Sequence, residues 1–170
     1  MEKLELANWL CRFRLSKYHE DIEPFREGGG EDEFHQLFTP YEFMEGEGNC
    51  LLNTGIDEMW DLVTGVSANH YDNSNAQIGV GDSSTAADPS QTDLQAATNK
   101  TYKGMESGYP TSTNQKATFK ASFGASDANY AWNEWVVKQS TSAKCLNRKV
   151  ESLGTKSGGT WTLEVDITLS

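Results

Sequence analysis

Glu134 lies between two indoles, in the stretch Trp132-Asn133-Glu134-Trp135, and is the best single candidate in the chain for a perturbed carboxylate. Apolar surroundings disfavour the charged form of an acid, which is how a carboxyl is fitted for proton transfer. The same stretch also reads as strand. Alternation then sets Tyr130, Trp132 and Glu134 on one face and Ala131, Asn133 and Trp135 on the other. One face must be core, so either Glu134 or Asn133 is expected as a buried polar group satisfied by hydrogen bonds. Asn133, Glu134 and Lys149 are also the residue types of an acid-assisted amide cross-link between lysine and asparagine. An ordinary polar pair on neighbouring strands is the plainer alternative. Trp132, Trp135 and Trp161 could stack sugars, although aromatic residues in strands more often fill a core.

The remaining motifs carry less. IGVGDSS has the glycines of a phosphate-cradling loop, but no Lys follows, and neither a third glycine nor a helix completes a dinucleotide pattern. Gly79 and Gly81 are therefore expected to serve a tight strand-to-loop turn. Asp72, Asn73, Asn75 and Asp82 offer oxygens to calcium without the spacing or closing Glu of a calcium loop; Asx residues in turns bond their own backbone by default. His19, His35 and His70 fall in separate segments, none beside a candidate nucleophile. Cys11, Cys50 and Cys145 are an odd number at wide spacing and read as reduced thiols rather than a disulfide framework or a zinc set. No cofactor and no metal is expected, and the chain is expected not to be an enzyme. A hydrolase of cell-wall or capsule sugars would require a pair of carboxylates converging on one cleft.

The elements that would hold these residues are mostly strands. KATFKASF, ANYAWNEWVVK, CLNRKVESLGT and TWTLEVDITLS follow one another, and in the last Trp161, Leu163, Val165, Ile167 and Leu169 alternate with polar residues. QIGVG reads as a further short strand. GDSSTAADPSQTDLQAATNK reads as a long ordered surface loop with a short helical turn near Asp93–Ala97. Leu52, Ile56, Met59, Trp60 and Val63 fall at helical spacing, so one helix is expected near 51–64, with Asn49 as N-cap, Gly65 as C-cap and that face buried. The expected fold is mainly β (α+β): an antiparallel β-sandwich or barrel-like domain over 47–170 with one packed helix.

Residues 1–46 read differently. Leu4, Leu6, Trp9, Leu10, Phe13 and Leu15 suggest a helix that Pro24 must stop, followed by a flexible joint at Gly28–Gly30 and an extended aromatic stretch past Pro40. This is expected to be an N-terminal arm that docks on a partner through Trp9, Leu10, Phe13 and Leu15, and secondarily through Phe34, Phe38, Tyr41 and Phe43.

Charge narrows the partners. The net charge of −11 over 170 residues opposes nucleic acid and anionic lipid, and the acids concentrate in residues 1–50, twelve against five bases. No stretch reaches the roughly 18–20 apolar residues of a membrane span. MEKLELANWLCRF carries two acids where a secretory signal needs a basic run, so a soluble protein made in the cytoplasm is expected.

The segments GNCLLNTGIDEMWDLVTG, YDNSNAQIGVGDSSTAADPSQTDLQAATNK, FGASDANYAWNEWVV, LNRKVESLGTK and TWTLEVDITLS together resemble a family of tailed-bacteriophage virion proteins. The likeness spans 47–170, is most specific at IGVGDSSTA, TDL, NEW and LNRK, and leaves 1–46 uncovered. It implies a structural protein of the virion, with no catalytic or cofactor residue to carry over. The favoured placement is a head decoration (cement) protein on the particle exterior, bound to the major capsid protein and to copies of itself, possibly as a trimer. The alternative is a tail or tail-fibre component contacting host surface glycans.

Overall fold

The computed structural model describes residues 8–170. Two five-stranded antiparallel sheets pack face to face. In chain order the strands are β1 (Trp9–Tyr18), β2 (Glu42–Glu47), β3 (Cys50–Leu51), β4 (Ala76–Gly81), β5 (Lys100–Gly104), β6 (Thr111–Thr113), β7 (Lys116–Phe123), β8 (Ala131–Gln139), β9 (Cys145–Thr155) and β10 (Thr160–Leu169). Sheet A runs β2-β1-β10-β7-β6 and sheet B runs β3-β9-β8-β4-β5. The expected β-sandwich is therefore the fold, and the four consecutive β-type segments form β7 to β10.

The N-terminal segment corrects the expectation of a helical arm. Trp9–Tyr18 is a strand paired with β10 along its whole length, from Trp9 opposite Leu169 to Tyr18 opposite Thr160. Period two explains it. Cys11, Phe13 and Leu15 point into the core, while Leu10, Arg12, Arg14 and Ser16 face outward. As a helix the same stretch would drive Arg12 and Arg14 into its apolar face; as a strand every residue falls on its proper side. Leu4 and Leu6 lie outside the described residues.

The core joins the two inner faces. Trp132 packs edge-on against Phe123 at 4.7 Å and Trp161 at 4.9 Å, and Phe13 meets Trp135 at 5.8 Å. Trp132 and Trp135, expected on opposite faces, are both core residues. The reason is a register irregularity: the partner of β8 steps from Gly154 at Trp132 to Val150 at Glu134. That irregularity slips the side-chain phase by one. On β2, Gly46 leaves room for the Phe13 ring, which would lie 2.5 Å from a Cβ there.

Two long excursions cover the outer faces. Residues 19–41 join the neighbouring strands β1 and β2 through a 3-10 turn (Glu23–Phe25) and α1 (Glu31–Leu37). A tight hairpin would need only about 2–5 residues there. This strap is held by Tyr18, Ile22 and Phe34, with Phe25 and Phe38 packed around them. The supposed joint runs straight into α1 at Glu31. Residues 82–99 cross the outer face of sheet B, burying Leu94 and Ala96, without the expected helical turn.

The second helix, α2 (Asn53–Thr64), matches the helix expected near 51–64, and Gly65 caps it in the left-handed conformation (φ 74°). Its N-cap is Leu52 rather than Asn49. Gly55 rests on β9, where a Cβ would meet the Leu146 carbonyl oxygen at 2.5 Å. That close approach turns the helix away from the face read in the sequence. Leu52 is buried and Ile56 and Met59 half-buried, but Trp60 and Val63 are exposed.

Candidate functional site

Chemistry-bearing side chains gather in two places, and apolar surface stands open in two others. The first gathering lies on the outer face of sheet B. Glu134 and Arg148, from the adjacent strands β8 and β9, are both fully buried and joined by a bond of 2.6 Å from Arg148 Nε to Glu134 Oε2. The other guanidinium nitrogens donate to Gln91 Oε1 and the Thr85 carbonyl, each at 2.9 Å. The carboxylate accepts from the backbone N–H of Gln95 at 3.0 Å and of Ala96 at 2.8 Å. Each partner outside the pair belongs to residues 82–99. The pair thus fastens the long loop, and its buried charges are matched by hydrogen bonds, as they must be away from water. Gly81 belongs to the same device: a Cβ there would strike Glu134 Oε1 at 2.6 Å. Gly79 is likewise pressed against the Tyr102 ring and Val136. The IGVG glycines serve close packing under this loop.

Glu134 was expected either as a perturbed acid or as a buried polar group satisfied by hydrogen bonds, and the second description fits its surroundings. Asn133 donates to the Asp82 carbonyl at 3.0 Å, while Lys149 reaches the Glu47 carbonyl at 2.8 Å and Glu151 at 3.3 Å. The three residues weighed as an amide cross-link are thus engaged with separate partners. Trp132, Trp135 and Trp161 are buried in the core, so none offers a face to a sugar.

The second gathering lies where the strap crosses the outer face of sheet A. His35 on α1 is 3.0 Å from Glu106 through Nε2 and 3.1 Å from the Tyr18 hydroxyl through Nδ1. Glu106, almost wholly buried, also accepts from Ser122 and pairs with Lys120 at 3.1 Å. Burial works to raise the Glu106 pKa, but His35, Lys120 and Ser122 outweigh it and hold the carboxyl below its ordinary value. Lys120 moves the other way, above its ordinary value: burial opposes the charge and Glu106 more than compensates. Beside this cluster a cleft of about 180 Å³ is lined by Arg14, Ser16, Tyr18, Phe43, Thr162 and Glu164, among others. Ser122 bonds Glu106 rather than the imidazole, so the hydroxyl beside His35 is the Tyr18 phenol, a buried group whose pKa burial raises. It ties α1 to the sheet.

The other sequence candidates resolve simply. Asp72 Oδ1 accepts from the backbone N–H groups of Ser74 and Asn75, both at 3.0 Å, in an Asx turn. No group of three or more ligand-type residues among those described could hold a metal ion. His19 stacks on Tyr41 at 4.2 Å, and His70 is exposed. All three cysteines are free thiols; burial pushes Cys11 up to about 12 and raises Cys145 as well, leaving both protonated and inert.

The partner-docking residues divide sharply. Phe13, Leu15 and Phe34 are fully buried within the protein's own packing, and Trp9 and Phe38 are partly so. None of the first three can anchor a partner, because each already fills a core position. Leu10, Tyr41 and Phe43 remain exposed. A further exposed apolar surface is the stripe formed by Trp60 and Val63 on α2 and Val66 just past its cap: they are 63%, 75% and 77% exposed. Helical spacing does signal Trp60 and Val63, but it points them at the core, and nothing in it signals Val66. No helix among the described residues is long and apolar enough to cross a membrane. No family model, no curated protein and no solved structure matches the chain.

Proposed function

We propose that this is a structural virion protein of a tailed bacteriophage, most simply a head decoration protein that binds the outer surface of the capsid lattice. The resemblance of residues 47–170 to phage virion proteins supports the setting, and the fold supports the manner. A sandwich with both outer faces strapped down is a rigid body that presents fixed surfaces to repeating neighbours. Within the arm Phe13, Leu15 and Phe34 are internal and cannot act as docking anchors, which leaves Leu10, Tyr41 and Phe43 as its exposed ones. The observation that carries the reading is the α2 stripe.

Trp60, Val63 and Val66 are large apolar side chains left in water on one helical face and its C-terminal turn. Isolated exposed apolar residues need no explanation, but a Trp-centred stripe is the composition of an interface hot spot. Each such contact is small, and many copies on one lattice raise the effective concentration of the next contact. Asp57 on the same helix would favour a basic rim on the capsid subunit.

The test is decoration of particles lacking the protein by wild type and by a Trp60→Ala, Val63→Ala double variant. These side chains are exposed, so the variant should keep the wild-type melting temperature and lose at least tenfold in particle affinity, as expected for a Trp hot spot of about 2 kcal/mol or more. Full decoration by a folded double variant would remove the α2 stripe as the docking site. Failure of the wild type to bind any particle would remove the decoration reading.

A further inference from the structure

The two long sheet edges carry opposite charge, and we infer that copies of this chain join head to tail by pairing β2 of one copy with β5 of the next. This deepens the decoration reading by assigning the surface through which copies meet, and it can fail separately from that reading.

Every open sheet has two edges, and an edge strand exposes backbone N–H and C=O groups that will pair with another strand unless blocked. Among the described residues the four edges are unequal. β6 and β3, the far edges of sheets A and B, are only three and two residues long, which is itself a form of protection. β2 and β5 run six and five residues, with no proline and no register break against their neighbours. Each sheet thus has one edge blunted by shortness and one left long.

The charges make the long edges complementary. β2 reads EFMEGE and holds three acids and no base, while β5 reads KTYKG and holds two bases and no acid. Glu42 and Glu47 are drawn to Lys17 and Arg12, and Lys103 to Asp127, which leaves exposed Glu45 and exposed Lys100 as the edge charges with no ion-pair partner among the described residues. Pairing β2 with β2, or β5 with β5, would place like charges opposite one another, which is unfavourable across strands. Pairing β2 with β5 places acid against base. Phe43, 54% exposed on β2, would gain a neighbour from the incoming strand.

Because the two edges belong to different sheets, the contact is heterologous, and each copy offers one of each kind. Such contacts close into rings when the rotation permits and otherwise propagate as filaments.

The experiment is sedimentation velocity on the full chain over a wide concentration range, with Glu45→Lys, Lys100→Glu and the combined variant. Wild type should associate, each single reversal should weaken association roughly three- to tenfold, in keeping with one cross-strand charge pair, and the combined variant should recover most of the loss. Amide exchange in 42–47 and 100–104 should slow as wild-type concentration rises. The inference is overturned if wild type stays monomeric at every concentration, if neither reversal weakens its association, or if the combined variant fails to recover. None of these measurements involves a particle, so loss of capsid binding and loss of self-association can be told apart.

Discussion

The outer faces of the two sheets use the same chemistry to different ends. On sheet A, Arg14 spans Glu164 and Asp166, Lys116 approaches Asp166 at 3.4 Å, and Thr118 donates to Asp166 at 2.6 Å; the two cations are partly open to water, while Asp166 and Thr118 are buried. On sheet B a single pair, Glu134 with Arg148, lies wholly buried beneath residues 82–99. Ion pairs in water contribute about 0–1 kcal/mol, since solvent already stabilises the separated charges. A buried pair contributes little over an apolar substitute, but losing one member strands the other. The cations of the lattice on sheet A therefore act close to solvent, while the pair on sheet B is the buried part of a fastening that Lys138 and Tyr102 share by holding Asp93 of the same loop.

The largest effect should come from breaking the buried pair. Arg148→Ala leaves Glu134 charged and buried, and removes the anchors of Gln91 and Thr85. A loss of about 3–5 kcal/mol in urea unfolding is expected. Fast exchange of the Gln95 and Ala96 amides should accompany it, since Glu134 is their acceptor. Replacing both partners by apolar residues, Glu134→Leu with Arg148→Met, should cost less than Arg148→Ala alone. If the single variant is as stable as wild type, residues 82–99 are held by something other than this pair.

Lys156 gives an intermediate case, a buried cation with no carboxylate in direct contact among the described residues. Its Nζ donates to the Gly124 carbonyl at 2.6 Å and to Asn129 Oδ1 at 3.1 Å. Burial lowers its pKa to about 8, against the opposing pull of Asp127 and Asp21. Between about pH 8 and its ordinary value of 10.5 the unfolded chain binds more protons than the native one, so this group makes stability rise with pH across that window. Below pH 8 its unfavourable contribution is complete and constant. Lys156→Met should flatten that rise in a series of melting curves taken from pH 7.5 to 10.5, and an unchanged slope would refute the assignment.

The smallest effect belongs to sheet A. Arg14→Ala should cost under about 1 kcal/mol, and the difference from wild type should shrink further in high salt. A larger, salt-independent loss would mean that the lattice on this face is shielded from solvent, and the contrast between the two faces would disappear.

The strands from Lys116 onward were legible because they are rich in β-branched and aromatic residues, their flanks are polar, and the last of them alternates from Trp161 to Leu169. Trp9–Tyr18 carries an equally clean alternation, yet Leu4, Leu6, Leu10 and Phe13 also fit a helical face, and a short window satisfies both periods. What separates them is the pairing partner: β10 lies some 150 residues away and leaves no local signature. The burial of Glu134 could be anticipated, but its partner could not, because Arg148 meets it only through the register of β8 and β9. The phase slip between Trp132 and Trp135 was hidden for the same reason. In α2 the spacing was read correctly and its orientation was not: Gly55, a residue with no side chain, decides which side of the helix meets β9.

The union of β1 with β10 also governs how the molecule is made. On a ribosome, β1 emerges well before its long partner, which follows only after β2 to β9 have been made. Sheet B, whose strands lie between, can assemble first with its inner wall of tryptophan and valine uncovered. Contacts of such wide sequence separation form slowly, and the interval exposes surface that invites aggregation. Synthesis at high concentration should therefore reward whatever shields that wall until the last strand arrives.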